Sequence, residues 1–174
     1  MATWTIDTAH SEVAFKVKHL VVSTASGKFT TFEGVLEAEK EDFTDAKVTF
    51  SADIDSIHTG NEQRDGHLKS ADFFDAESFP KLTFTSTSIE KKGDADYTIT
   101  GDLTLKGVTK QVVVNAEFGG IEKSLYGQIV AGFEVTAKIN RQDFGLTWSA
   151  VTEAGGLVVA NDVKLVANIE LIKS

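Results

Sequence analysis

The sequence has no cysteine. Disulfides and thiolate metal sites are therefore excluded. It has a single proline, Pro80, directly after Phe79. That position opens a strand, where proline is tolerated. Basic residues are few: 17 Lys and Arg stand against 26 Asp and Glu, a formal net charge of −9. Nucleic acid is a poor partner for such a chain, because phosphate binding needs a basic face. An anionic membrane surface is disfavoured for the same reason. No hydrophobic run is long enough to cross a bilayer, so stable membrane insertion is not expected. The stretch MATWTIDTAHSEVAFKVKHL carries Asp7 and Glu12 and alternates from its start. It is not a secretory leader. As written, the chain is expected in the cytoplasm, or in the periplasm if a leader was removed and Met1 supplied for expression.

What is present is a strand pattern. A chain of 174 residues with 41% hydrophobic content suits one domain, 1–174, with a real core. Apolar and polar residues alternate with period two. Val13, Phe15, Val17 and His19 share one face, as do Val48, Phe50, Ala52 and Ile54. So do Tyr97, Ile99, Gly101, Leu103 and Leu105, and then Val112, Val114, Ala116 and Phe118. Leu125, Ile129, Ala131, Phe133, Val135 and Ala137 form another such face. The last runs Val159, Val163, Leu165, Ala167, Ile169 and Leu171. Lys92-Gly93-Asp94, Lys106-Gly107 and Gly119-Gly120 read as turns. Strands joined so briefly are antiparallel neighbours. About eight of them, each with one apolar face, predict an all-β, antiparallel eight-stranded barrel. A two-sheet sandwich is the competing architecture.

Many inward positions are small: Gly34, Ala52, Gly101, Ala116, Gly127, Ala131, Ala137 and Ala167. A barrel of this size either fills its interior with side chains or holds one ligand. Small inward residues favour a cavity, although they also offset the bulk of twelve Phe. The candidate lumen residues are Phe15, Val17, His19, Phe32, Leu36, Phe50, Ile54, Leu68, Phe73, Phe74, Phe84, Leu103, Ala131 and Phe133. His19 has a plainer reading as a core histidine with one buried hydrogen bond.

The alternation breaks at TGNEQRDGHLKSADFF, Thr59 to Phe74. Thr59 with Glu62 fits a capping box, which predicts a short helix over Gly60–Lys69. Arg64, His67 and Leu68 then share one face, and Asp65 and Lys69 form an i, i+4 pair. This is a helical cap at a barrel mouth, with Arg64 and His67 as candidate contacts for a ligand headgroup. Acid–base chemistry by Asp65 and His67 would need a nucleophile and an orienting group. No G-x-S-x-G and no Cys are present, so no catalytic residue is assigned. His58, His67 and Asp65 match no compact ligand spacing, so no metal site is assigned. The D-F-G of NRQDFG, Asn140 to Gly145, lacks every companion kinase motif. Arg141 and Asp143 are instead expected to clip a loop.

Several longer stretches carry a resemblance. WTIDTAHSEVAFKVKHL, GKFTTFEG, IDSIHTGNEQRDGHLKSADFFDAESFPKLTF, GDLTLKGVTKQV and INRQDFGL follow in order. Together they resemble the YceI-like family of polyisoprenoid-binding proteins, nearly end to end. The resemblance implies a lipocalin-like barrel with a small helix. It implies a lumen for a long isoprenoid chain, of quinone or prenyl type, bound by a non-catalytic carrier or store. No cofactor is implied beyond that lipid ligand, and a homodimer follows by analogy only. The alternatives are an enzyme acting on a lipid-like substrate at the mouth, and an interaction protein whose own Phe residues fill the barrel.

Overall fold

The computed structural model describes residues 2–19, 23–146 and 159–174, with backbone alone for His19 and Val159. Eleven strands join in one antiparallel sheet. In chain order they are β1 (Ala2–Ile6), β2 (Glu12–His19), β3 (Ser23–Phe29), β4 (Phe32–Ala38), β5 (Lys47–Asp53), β6 (Ile57–His58), β7 (Lys81–Lys91), β8 (Asp96–Leu105), β9 (Val108–Lys123), β10 (Ile129–Asn140) and β11 (Val159–Lys173). The helix α1 (Glu62–Lys69) lies between β6 and β7.

Six of the eleven are halves of three kinked runs. β1 and β2 both pair with β11, through Ile6↔Leu171 and Glu12↔Asn168. Between them the chain makes one 3-10 turn, Thr8–His10, where the Asp7 carboxylate accepts from Ala9 N at 3.0 Å. β3 and β4 continue one another along β2 and β1, and β5 and β6 do so along β4 and β3. Each run pairs with the next in sequence, and β11 closes the ring on β1 and β2. The result is the expected eight-stranded antiparallel barrel, not a sandwich. Closure leaves few unpaired strand edges.

Strand parity holds almost throughout. Leu82, Tyr97, Leu103, Leu105, Ala116, Ala137, Ile139 and Leu171 are buried inside the wall. Two expectations fail at the β9–β10 hairpin. Gly119-Gly120 is no turn; it is a bulge within β9, where Gly132 pairs Gly120 and Phe133 pairs Phe118. Turns and bulges both need a residue at positive φ, which Gly120 supplies at φ 123°, so sequence alone confuses them. The true turn comes later, around Ser124–Gly127, so that Leu125 and Gly127 are exposed instead of inside.

The small inward residues divide by role. Ala116, Ala137, Ala167 and Gly34 border open space, whereas Ala52 and Ala131 are packed solid. Some glycines are sockets for a neighbour's bulk. A methyl on Gly27 would meet the Phe15 ring at 2.6 Å, and one on Gly34 would meet Ile6 at 2.5 Å. At Gly101 it would meet the Phe84 ring at 2.5 Å and the Thr85 carbonyl at 2.6 Å. The carbonyl belongs to the ladder and cannot give way. Gly101→Ala is therefore expected to cost about 1–3 kcal/mol by overpacking. Gly66→Ala has the opposite sign, because that site is helical with nothing within 4 Å. It is expected to stabilise by about 0.5–1 kcal/mol. Urea denaturation of both variants checks the pair.

Candidate functional site

The barrel is not full. A cavity of ≈ 280 Å³ runs from Phe43 at one end to Leu68, Phe73 and Phe74 at the other. The residues around it are apolar except for Thr49, Tyr97 and Arg141, and Thr49 lies on the exposed face of β5. Phe50, Phe84 and Phe133 point inward yet keep accessible surface, because each borders this space. A dry apolar cavity binds apolar guests.

Of the candidate lumen residues, Phe15, Val17, Leu36, Phe50, Leu68, Phe73, Phe74, Phe84, Leu103 and Phe133 line the cavity. Phe32, Ile54 and Ala131 do not. Phe32 and Ile54 pack into the cluster around Phe29 and Ile57, and Ala131 lies in the cluster of Trp4 and Leu171. Their inward parity is right, but neighbouring bulk separates them from the space. The side chain of His19 lies outside the described residues.

One end of the lumen is closed by a plug that the sequence reading passed over. The loop from Glu39 to Ala46 turns Phe43 into the barrel, where it is 2% exposed. Its ring packs edge-on against Trp4, Phe118 and Phe133 at centroid distances of 5.5, 5.6 and 5.5 Å. Phe43 sits at φ 61°, a left-handed conformation unusual for a bulky residue. Carboxylates hold the loop there. Asp45 accepts from Glu39 N and Lys40 N, Asp42 accepts from Thr44 N, and Tyr97 Oη donates to the Asp42 carbonyl. These backbone donors hold both carboxyls below their ordinary range, through Glu39 N first for Asp45 and Thr44 N first for Asp42. An isolated Phe among Asp residues in EDFTDAK was the available signal.

The other end is closed by α1 and its flanks. The helix starts later than expected, and its N-cap is Asn61, whose side chain accepts from Arg64 N at 3.0 Å. Thr59 is not the cap. Asp65 takes it instead, accepting from Thr59 N at 2.9 Å and from Thr59 Oγ1 at 2.5 Å. Asp65 is thus turned into the fold and away from Lys69, which removes the expected i, i+4 pair. Arg64 grips the same residue, donating from Nε to Thr59 Oγ1 and from Nη2 to the Thr59 carbonyl. His67 Nε2 sits 3.0 Å from Asp72 Oδ2, and its ring packs on Phe73. Arg64 and His67 therefore brace the helix and do not border the cavity, because Leu68 is the helical side chain that points in. Asp65 and His67 share no hydrogen bond, and His58 Nδ1 stands 3.8 Å from Asp65 Oδ2. Asp7, His10 and Glu170 gather elsewhere, on the outer surface.

Arg141 is the residue whose role the sequence understated. It follows β10, is 2% exposed and lines the lumen. Its guanidinium donates to the carbonyls of Ala160 (2.9 Å) and Leu146 (2.5 Å), so it does clip a loop. Asp143 is exposed. Burial pushes Arg141 below the ordinary arginine range.

The YceI-like domain matches residues 4–171. The chain belongs to the YceI-like family. A UPF0312 protein of Staphylococcus aureus (strain MSSA476) is 39% identical over 171 residues, covering 98% of this chain and 97% of its own. A mutant YceI protein of Campylobacter jejuni superposes with a TM-score of 0.78 at 34% identity, over 97% of this chain and 96% of that one. The fold alone is shared with a polyisoprenoid-binding domain from Saccharophagus degradans, at TM-score 0.66, 16% identity and 98% coverage of each chain.

The plug yields a prediction. Phe43→Ala removes a fully buried ring and is expected to cost about 3–5 kcal/mol. The same change should speed exchange of a fluorescent apolar probe held in the lumen, measured by stopped flow. Lowered carboxyl pKa values stabilise the loop above the ordinary range near 3.8, and that contribution is lost as pH falls through the lowered values. Probe exchange should accordingly quicken in that acid window, and Asp45→Asn should exchange quickly at neutral pH.

Proposed function

We propose that this YceI-like protein binds a long-chain isoprenoid lipid, of quinone or prenyl type, in the barrel lumen as a non-catalytic carrier or store. The observation that carries the reading is the elongated cavity, lined by apolar side chains from Phe43 to Phe74. At ≈ 280 Å³ it lies just below the usual span of ligand pockets, roughly 300 to 1,000 Å³, and so suits a slender chain. Burying about ten CH₂ groups at ~0.8 kcal/mol each gives about 8 kcal/mol, or micromolar affinity before ordering costs. The polar lining groups Tyr97 and Arg141 already donate to backbone carbonyls. The lumen therefore favours recognition of the chain over recognition of a headgroup. The name of the Saccharophagus relative supports the same class of ligand.

The enzyme reading is weaker on geometry. Arg64, Asp65 and His67 are each engaged in bracing α1, and none borders the cavity. Arg64→Ala and His67→Ala should then leave ligand content near the wild-type value, and change stability instead.

Mass spectrometry of an organic extract of purified protein is the direct test, with a stoichiometric prenyl lipid as the expected result. Ala167→Phe and Asn168→Phe make the lumen dependence explicit. The two are neighbours on β11, with Ala167 bordering the cavity and Asn168 exposed outside. Ala167→Phe should displace lipid at little cost in melting temperature, and Asn168→Phe should keep it. Ala131→Phe, at a site with 0% exposure, should overpack the plug cluster by about 1–3 kcal/mol without entering the lumen. Equal lipid in the Ala167 and Asn168 variants would overturn the lumen as the binding site.

A further inference from the structure

The β9–β10 hairpin outruns the barrel. Pairing of β8 with β9 stops at Asp96↔Glu117, with one more bond from Phe118 N to the Ala95 carbonyl. From Gly119 to Lys123, β9 has β10 on one side and, among the described residues, no strand on the other. About five residues at roughly 3.3 Å each carry β9 some 17 Å past its pairing with β8. The inner face of this overhang continues the face that Ala131 and Phe133 present to the barrel interior. Ile121 pairs opposite Ala131, and Ile129 precedes Ala131 by two. Both are exposed, at 43% and 42%. At the tip Leu125 and Tyr126 are 102% and 91% exposed.

The tip is held in a defined turn. Ser124 Oγ accepts from Tyr126 N and Gln128 N, Ser124 N donates to the Gln128 carbonyl, and Gly127 N donates to the Ser124 carbonyl. Gly127 supplies the positive φ, 82°, that closes it. Ordered backbone is thus used to hold two large apolar side chains in water. Contiguous apolar surface of this kind marks a contact. Two tip side chains and two half-exposed isoleucines amount to a few hundred Å², well short of the roughly 800 Å² per partner of a stable dimer. A lipid surface needs no such area, and Leu with Tyr suits the boundary between acyl chains and headgroups. The tip is flanked by Glu122 and Lys123, and the chain carries −9 overall, so the surface it fits is neutral.

We propose that the β9–β10 tip docks on a neutral phospholipid bilayer, with Ile121 and Ile129 forming an apolar track from that surface to the Phe43 plug. The inference rests on the lipid-binding reading above and names the surface with which the lumen exchanges its ligand. Flotation with phosphatidylcholine vesicles tests it, using the whole chain. The double variant Leu125→Asp/Tyr126→Asp should partition at least about tenfold more weakly. Val113→Asp removes an exposed apolar side chain from the barrel wall and should partition as wild type. Doping the vesicles with phosphatidylglycerol should weaken binding. Absence of vesicle binding by the wild type, equal binding by the double variant, or tighter binding to the anionic vesicles would each overturn the proposal. So would a wild-type dimer in sedimentation that the double variant loses. Prenyl-lipid content of the same samples separates the two readings. Loaded protein that ignores vesicles overturns docking alone, and empty protein with tip-dependent binding supports docking while overturning the carrier reading.

Discussion

Closure through β11 is the constraint on which everything else depends. This strand pairs with β10 along its length, with β2 over its first part and with β1 over its last. Serving β1 and β2 in turn is possible only because that run kinks at the 3-10 turn capped by Asp7. Kinks in the other two runs follow from the same need to bend around the ring. Once the sheet is closed, inward side chains can meet only one another. Whether they meet decides whether the barrel is a core or a container.

In this chain they meet at the ends and fail to meet in the middle. At one end Phe43, Trp4, Phe118 and Phe133 interlock as an aromatic plug. At the other Phe29, Phe73, Phe74 and Leu68 gather beneath α1. Between them Val, Ile and Ala from facing strands leave a gap that no side chain of the described residues crosses. The socket glycines sharpen this division. By letting the Phe84 ring and the Phe15 ring lie flat against the wall, Gly101 and Gly27 keep those rings out of the axis.

Period-two alternation made the barrel legible, because inward and outward faces differ in solvation at nearly every position. Where the chain leaves that alternation, the reading loses its footing. Gly119-Gly120 supplies a bulge but reads as a turn, since both demand the same backbone freedom. Thr59 and Glu62 satisfy a capping pattern, yet the cap falls two residues later, on Asn61, and frees Thr59 for Asp65 and Arg64. Phe32, Ile54 and Ala131 show the same limit at the site. Parity tells which face a residue is on, and not whether a neighbour stands in front of it. Phe43 was passed over for a different reason: its burial depends on a polar loop held by Asp42 and Asp45, and its one signal, a lone Phe among Asp residues, has no hydrophobic period.

The polar residues of the Thr59–Phe74 stretch take their meaning from this arrangement. An open-ended apolar lumen would fill with solvent and lose its affinity for a chain, so each end needs a cover that does not itself occupy the space. Covers made of loop and short helix bury little apolar area, and must be held by directed bonds. Arg64, Asp65 and Thr59 supply them outside the lumen at the helical end, with Lys106 Nζ reaching the Ala71 and Gly145 carbonyls across it. Arg141 does so from the lumen wall itself, which is why a cation lines an otherwise apolar space. The densest charge in the sequence thus marks the closure of the site. Apart from Arg141, the site itself is written in residues that carry no charge.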